Sequence, residues 1–304
     1  MKPRFWSARL IPAFLIAGAA PGFAQLSPSA VWATHAANEY QAYPNVTYLN
    51  MGGVDLKLDV YRRRTATSPQ PTVIYMHGGF WVAGNKEGAI LSLLPWMEMG
   101  WNVVNVEYRL GAAALAPAAL EDCFCALRFL GGQAQAQMYN IDTSRIVVTG
   151  ESAGGHLALA LGTIPESEGL DRECAGAALP KVAAVLNWFG ISDVPDVIDG
   201  PHKANAAVRW FGSLPNRMEI ARRVSPMTYI RPGLPPILTV HGDADMTVPY
   251  PQAVKLHEAL AKVNVPNQLV TIPGGGHGNF TPEQRERIYI TIREFLAKNG
   301  LGPR

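Results

Sequence analysis

Gly150-Glu151-Ser152-Ala153-Gly154 is the stretch that decides how this 304-residue chain reads. The apolar run Arg145-Ile146-Val147-Val148-Thr149 before it has the pattern of a short buried strand, and His156-Leu157-Ala158-Leu159-Ala160-Leu161 after it that of a helix. A Gly-x-Ser-x-Gly turn between strand and helix holds a serine hydroxyl out at the top of a sheet. The small residues at 150 and 154 let the backbone bend that sharply. Ser152 is therefore the candidate nucleophile. A serine hydroxyl reacts only with a base to take its proton, an acid to orient that base, and donors for the oxyanion. Each has to be found elsewhere in the chain.

A second buried-strand pattern, Thr72-Val73-Ile74-Tyr75-Met76, runs into His77-Gly78-Gly79-Phe80-Trp81. Glycines can turn their N–H groups toward a substrate oxygen with no Cβ in the way. The N–H groups of Gly78 and Gly79 are expected to act with that of Ala153, the residue after the nucleophile. A His-Gly-Gly loop in this position resembles the oxyanion loop of esterases. The His77 side chain reads as a structural hydrogen-bonder. Trp81 is expected to pack beneath the loop or to line the substrate pocket.

A third strand, residues 237–240, ends in His241-Gly242-Asp243-Ala244-Asp245. Asp243 and Asp245 compete for the role of acid, and Asp193, after the strand at 182–189, is the outside candidate. Asp243 is expected to cap the turn through its own backbone N–H groups. The final strand, 268–272, is followed by Pro273-Gly274-Gly275-Gly276-His277-Gly278. Four glycines around His277 suggest a mobile, exposed turn that swings an imidazole over the sheet edge, which makes His277 the candidate base. His156 reads as buried support on the helix after the nucleophile. No His/Cys/Asp/Glu spacing suits a metal, and no phosphate-binding glycine loop is present, so neither metal nor cofactor is expected.

Strand-like and helix-like stretches alternate from about residue 45 to the end, which predicts one α/β domain, a mostly parallel sheet with helices on both faces. Residues 46–50 and 54–61 read as a hairpin turned at Met51-Gly52-Gly53, forming an antiparallel edge. Residues 117–130 read as a helix. Residues 283–299 form an amphipathic one, with Ile288, Ile292, Phe295 and Leu296 on one face.

The N-terminus reads as a signal peptide spanning residues 1–24. Lys2, Arg4 and Arg9 precede an apolar core at 10–20, and Gly22-Phe23-Ala24 offers a small-x-small cleavage site. That core is too short to span a bilayer, so export without stable membrane anchoring is expected, with the mature domain at 25–304. Removing those three cations takes the net charge of +2 to −1. Such a balance gives no reason to expect a nucleic-acid partner. Cys123 and Cys125 lie two apart on one helix and cannot pair with each other. In an oxidising compartment Cys174 is expected to bridge to one or other of them.

Taken together, the 77–81, 150–157, 188–193 and 241–245 motifs, Ser225-Pro226 and Gly276-His277-Gly278 resemble the α/β-hydrolase esterases, in particular the branch related to hormone-sensitive lipase and the BD-FAE esterases. The order Ser152, Asp245, His277 is the order of that fold. The resemblance selects Asp245 as the acid, through its His-Gly-x-x-Asp-x-x-Val-Pro setting. It also implies a small cap inserted at 194–233, with Trp210 and Phe211 lining an acyl or aryl pocket. Phe80 departs from the third glycine or tyrosine that many members carry, which leaves the loop's role intact and shapes the pocket differently. The expected activity is hydrolysis of short-chain or aryl esters, a small-molecule substrate class. An amide hydrolase of formamidase or peptidase type, or a silent binding module on the same fold, are the other readings. The intact Ser152, Asp245 and His277 argue against the last.

Overall fold

The computed structural model describes residues 26–174 and 178–302, so the signal-peptide expectation lies outside the described residues. Eight strands form one sheet: β1 Tyr40–Met51, β2 Val54–Arg63, β3 Gln70–Met76, β4 Asn102–Val106, β5 Ile141–Glu151, β6 Val182–Trp188, β7 Ile237–Gly242 and β8 Asn267–Ile272. Their spatial order is β1-β2-β4-β3-β5-β6-β7-β8. β1 and β2 pair antiparallel, as do β2 and β4, while every pairing from β4 to β8 is parallel. This is the mostly parallel sheet that the strand–helix alternation predicts, in the α/β-hydrolase arrangement that the resemblance implies.

The inner strands read as unbroken apolar runs because both of their faces are covered; β4 and β7 are buried at every position. The hairpin turns on Gly52 and Gly53, both at positive φ, as a tight two-residue connection demands. β1 begins six residues earlier than the pattern at 46–50 suggests. Pro44 hides that extension, and an edge strand tolerates it by a register shift between Tyr43 and Val46.

Ten helices complete the described fold: α1 Pro28–Glu39, α2 Leu94–Glu98, α3 Ala118–Gly131, α4 Gln133–Tyr139, α5 Ala153–Thr163, α6 Val194–Asp199, α7 Asn205–Phe211, α8 Arg217–Arg223, α9 Pro251–Lys262 and α10 Pro282–Lys298. One buried cluster joins a sheet face to α3, α5 and α9. A second joins the other face to Trp96 of α2 and to Ile288, Ile292, Phe295 and Leu296 of α10. α10 starts at a reciprocal cap between Thr281 and Gln284. The stretch 194–233 forms α6, α7 and α8, and Val197, Trp210, Phe211 and Ala221 sink it into the first cluster. The bridge runs from Cys125 to Cys174 and leaves Cys123 buried and free. Among the described residues no helix is long and apolar enough to cross a membrane.

Candidate active site

Parallel strands deliver their C-terminal ends to one edge of the sheet, and four loops meet there. Ser152 sits between β5 and α5 at φ 57°, ψ −117°, a region that a residue with a side chain occupies only when its surroundings force it. The forcing is visible at Gly150 and Gly154: a Cβ on either would collide with the Met76 carbonyl of β3. The Ser152 N–H is held by the Trp188 carbonyl at 2.9 Å, fixing the turn against β6.

The loop after β3 carries the expected donors. Gly79, Phe80 and Trp81 all have positive φ (121°, 50° and 58°). Val82 and Ala83 donate back to the Gly79 carbonyl at 3.1 and 3.0 Å, closing a tight turn. The N–H groups of Gly78 and Gly79 donate to no other backbone group among the described residues. Ala153 opens α5, so its N–H has no partner within the helix. His77 braces the loop from behind. Its ring stacks on Tyr108 with centroids 4.3 Å apart, and the Tyr108 hydroxyl donates to the His77 carbonyl at 2.8 Å.

The loop after β7 presents Asp245. One carboxylate oxygen accepts the Thr247 and Val248 N–H groups at 2.8 and 3.0 Å. The other lies 2.7 Å from His277 Nδ1 and 3.3 Å from His241 Nε2. Burial works to raise the Asp245 pKa, but the hydrogen bonds from His241, His277 and Val248 outweigh it and hold the carboxyl well below the usual range. Asp245 is thus an ionised acceptor with all its positions filled, and it fixes the His277 ring through Nδ1. The edge of the imidazole packs on Phe189, itself at φ 40°.

A cleft of about 350 Å³ gathers these groups. Gly78, Gly79, Ser152 and His277 line it, along with Phe80, Phe189, Thr247, Glu151 and Arg285. Phe80 shapes the cleft as the sequence suggests, whereas Phe189, Thr247, Glu151 and Arg285 are not among the site residues that the sequence points to. Glu151 is the variable position of the pentapeptide, and Arg285 lies in the first turn of α10, where nothing in the local pattern marks it. Burial raises the Glu151 pKa, partly offset by the Arg285 and His277 charges. His241 joins the site as well, and its four-residue spacing from Asp245 is the one sequence signal of that contact. Among the described residues, no group of three or more His, Cys, Asp or Glu is placed to hold a metal ion.

Residues 58–260 match the family model BD-FAE. The chain belongs to the BD-FAE family. Its relatives include esterase LipC of Mycobacterium tuberculosis, 30% identical over 231 residues, an alignment covering 73% of this chain and 56% of LipC. The probable carboxylic ester hydrolase LipM of the same organism is 28% identical across 79% of this chain and 58% of its own. This chain thus spans little more than half the length of these curated relatives. A solved truncated carbohydrate esterase from gut microbiota superposes with a TM-score of 0.72 at 27% identity, covering 85% of this chain and 98% of that one. The apo form of Thermogutta terrifontis esterase 2, at 24% identity and a TM-score of 0.72, shares the fold.

Three sequence expectations need correction in this BD-FAE member. Trp81, Trp210 and Phe211 do not line the cleft; each is fully buried. Trp81 follows the first of its two expected courses, packing beneath the loop. Trp210 and Phe211 are packed as core because α7 lies against the body of the domain, and no residue of 194–233 reaches the cleft. The glycine-rich loop of His277 is pinned to the β7 loop, with Ala244 N–H on the Gly275 carbonyl at 3.0 Å and Gly274 N–H on Asp243 Oδ1 at 2.7 Å. Asp243 therefore ties two loops together instead of capping its own. Asp193 is engaged elsewhere, at the start of α6 beside Gln252.

Proposed function

We propose that this chain is a serine carboxylic-ester hydrolase working through an acyl-enzyme intermediate. The observation that carries the reading is the 2.7 Å contact of Asp245 with His277 Nδ1, on a ring that shares one cleft with Ser152, Gly78 and Gly79. An Asp-bound Nδ1–H leaves Nε2 free to take a proton. Ser152 Oγ attacks the ester carbonyl while His277 Nε2 takes its proton. The oxyanion is received by the N–H groups of Gly78, Gly79 and Ala153, and His277 returns the proton to the leaving alcohol. Water then repeats the cycle on the acyl group. Removing one oxyanion donor in enzymes of this kind costs about 2.7–4 kcal/mol of transition-state stabilisation.

The substrates follow from the walls. Phe80 and Phe189 give a limited apolar surface beside the polar Thr247, Glu151 and Arg285. With Trp81, Trp210 and Phe211 buried, nothing among the described residues extends that surface to hold a long chain. The reading is a preference for short acyl or aryl-acyl esters, in keeping with the carbohydrate esterase among the structural relatives. Export is part of the proposal, supported by the Cys125–Cys174 bridge, since disulfides persist in oxidising compartments. A series of p-nitrophenyl esters tests the substrate reading: turnover should fall steeply between butyrate and laurate. Equal turnover on both, or faster cleavage of N-formylkynurenine than of any ester, would contradict it.

A further inference from the structure

Beneath the oxyanion loop, three fully buried side chains from three separate elements meet: Trp81 from the loop, His156 from α5 and Trp210 from α7. The Trp81 and Trp210 rings stack with centroids 4.3 Å apart and planes 17° from parallel. The His156 ring stands on edge to Trp81 at 4.9 Å and 88°. Trp81 Nε1 lies 3.0 Å from His156 Nδ1. An indole N–H can only donate, so Nδ1 is the bare acceptor and Nε2 carries the proton. Nε2 in turn donates to the Val224 carbonyl, at the end of α8, at 2.8 Å. One neutral imidazole is thus bonded at both nitrogens, to the loop on one side and to the 194–233 insertion on the other. Burial, only partly offset by the Val224 bond, pushes its pKa down to about 4 and keeps it neutral above that.

The loop needs such a hold. Phe80 and Trp81 both occupy the left-handed region, which costs on the order of 1–3 kcal/mol per residue and persists only where neighbours over-determine it. Gly79 and Gly78 are two and three residues upstream, so their N–H directions depend on where Trp81 is fixed.

We propose that His156 is a positioning residue: by accepting the Trp81 indole N–H it holds the oxyanion loop in place and so aims the Gly78 and Gly79 donors, while its bond to Val224 sets the tautomer that leaves Nδ1 bare. The inference rests on the serine-hydrolase reading above.

Two substitutions separate its two bonds. Asparagine places a carbonyl oxygen where Nδ1 sits, so His156→Asn keeps an acceptor for Trp81 and gives up Val224. Glutamine reaches to the Nε2 position, so His156→Gln keeps a donor for Val224 and gives up Trp81. Both variants, Trp81→Phe, the His156→Gln/Trp81→Phe double variant and Ser152→Ala are compared with wild type by kcat and KM on p-nitrophenyl acetate, fluorophosphonate labelling and Tm. His156→Gln should lose about 10²-fold in kcat with KM within about threefold, the scale of a misplaced catalytic group. His156→Asn should keep kcat within about fivefold of wild type, with a Tm lowered to about that of His156→Gln, since each variant leaves one buried partner unbonded. Trp81→Phe should match the Gln loss, and the double variant should lose no more than either single one, as expected for two partners in one contact. Equal kcat losses for Asn and Gln, or additive losses in the double variant, would overturn the proposal. If a His156 variant does not fold, an undiminished kcat in Trp81→Phe overturns it alone. A wild-type protein left unlabelled at Ser152 defeats the parent reading, and this inference with it. A labelled wild type with indistinguishable Asn and Gln variants defeats this inference only.

Discussion

Replacing Asp245 by asparagine changes one atom of the carboxyl group and should disable the site. Two backbone donors, Thr247 and Val248 N–H, point at one oxygen and cannot turn away, so the amide oxygen must take that position. The NH2 group then faces His277 Nδ1 and His241 Nε2. Donating to His277 Nδ1 forces the proton onto Nε2, where it meets the Ser152 side of the cleft and can no longer be a base. In Ser-His-Asp enzymes this tautomer error costs about 10⁴ in kcat, equivalent to about 5.4 kcal/mol. A second cost falls on stability: the His241 Nε2–H keeps the Val248 carbonyl at 2.9 Å and offers no acceptor, so the second hydrogen of the new NH2 is left unsatisfied in a buried place, which costs about 1–3 kcal/mol. The substitution also removes an acid-sensitive contribution. Because the folded-state pKa of Asp245 is depressed, its ionisation stabilises the fold above the unfolded value near 3.9, and that stability drains away as pH falls below it. Wild type should thus lose stability more steeply than Asp245→Asn below about pH 4. The assay is kcat on p-nitrophenyl butyrate alongside Tm across pH, with Asp243→Asn and Asp193→Asn as controls. A folded Asp245→Asn that keeps a tenth of wild-type turnover, or a larger loss in Asp193→Asn, would refute the choice of acid.

Other outcomes follow from the same structure. The Cys125–Cys174 bridge closes a separation of 49 residues, for which loop entropy gives about 4 kcal/mol, so the Cys125→Ala/Cys174→Ala double variant should melt well below wild type in a calorimeter. An unchanged Tm would deny the bridge any role in stability. Lys86 is buried against Asp59 at 2.9 Å, and Lys86→Met should cost about 3–5 kcal/mol by leaving that carboxylate without its cation, measured by urea titration. A loss below 1 kcal/mol would show that the pair is dispensable.

The fold was legible because its signals are local. The apolar runs at 72–76, 146–149 and 237–240 can be buried strands and little else, and Gly52-Gly53 turns a hairpin in only one way. The placement of Ser152, Asp245 and His277 in three strand-end loops was equally readable, since each follows a strand of one parallel sheet. What was hidden depends on packing between distant segments. Whether Trp210 faces a pocket or the core is decided by where α7 docks, and no periodicity in 194–233 states that. Four glycines around His277 suggested mobility. Their loop is nonetheless held, because Asp243 and Ala244 reach it from 31 residues away. Arg285 enters the cleft only because α10 begins beside the His277 loop, where it donates to the Gly278 carbonyl at 2.8 Å.

If the proposed mechanism holds, Ser152 becomes covalently acylated with His277 as its base. Peptide mass spectrometry after exposure to a fluorophosphonate tests it most directly. A single adduct is expected on the peptide holding Ser152, absent in Ser152→Ala and slowed by orders of magnitude in His277→Ala. An adduct on another residue, or labelling that persists in Ser152→Ala, would contradict it.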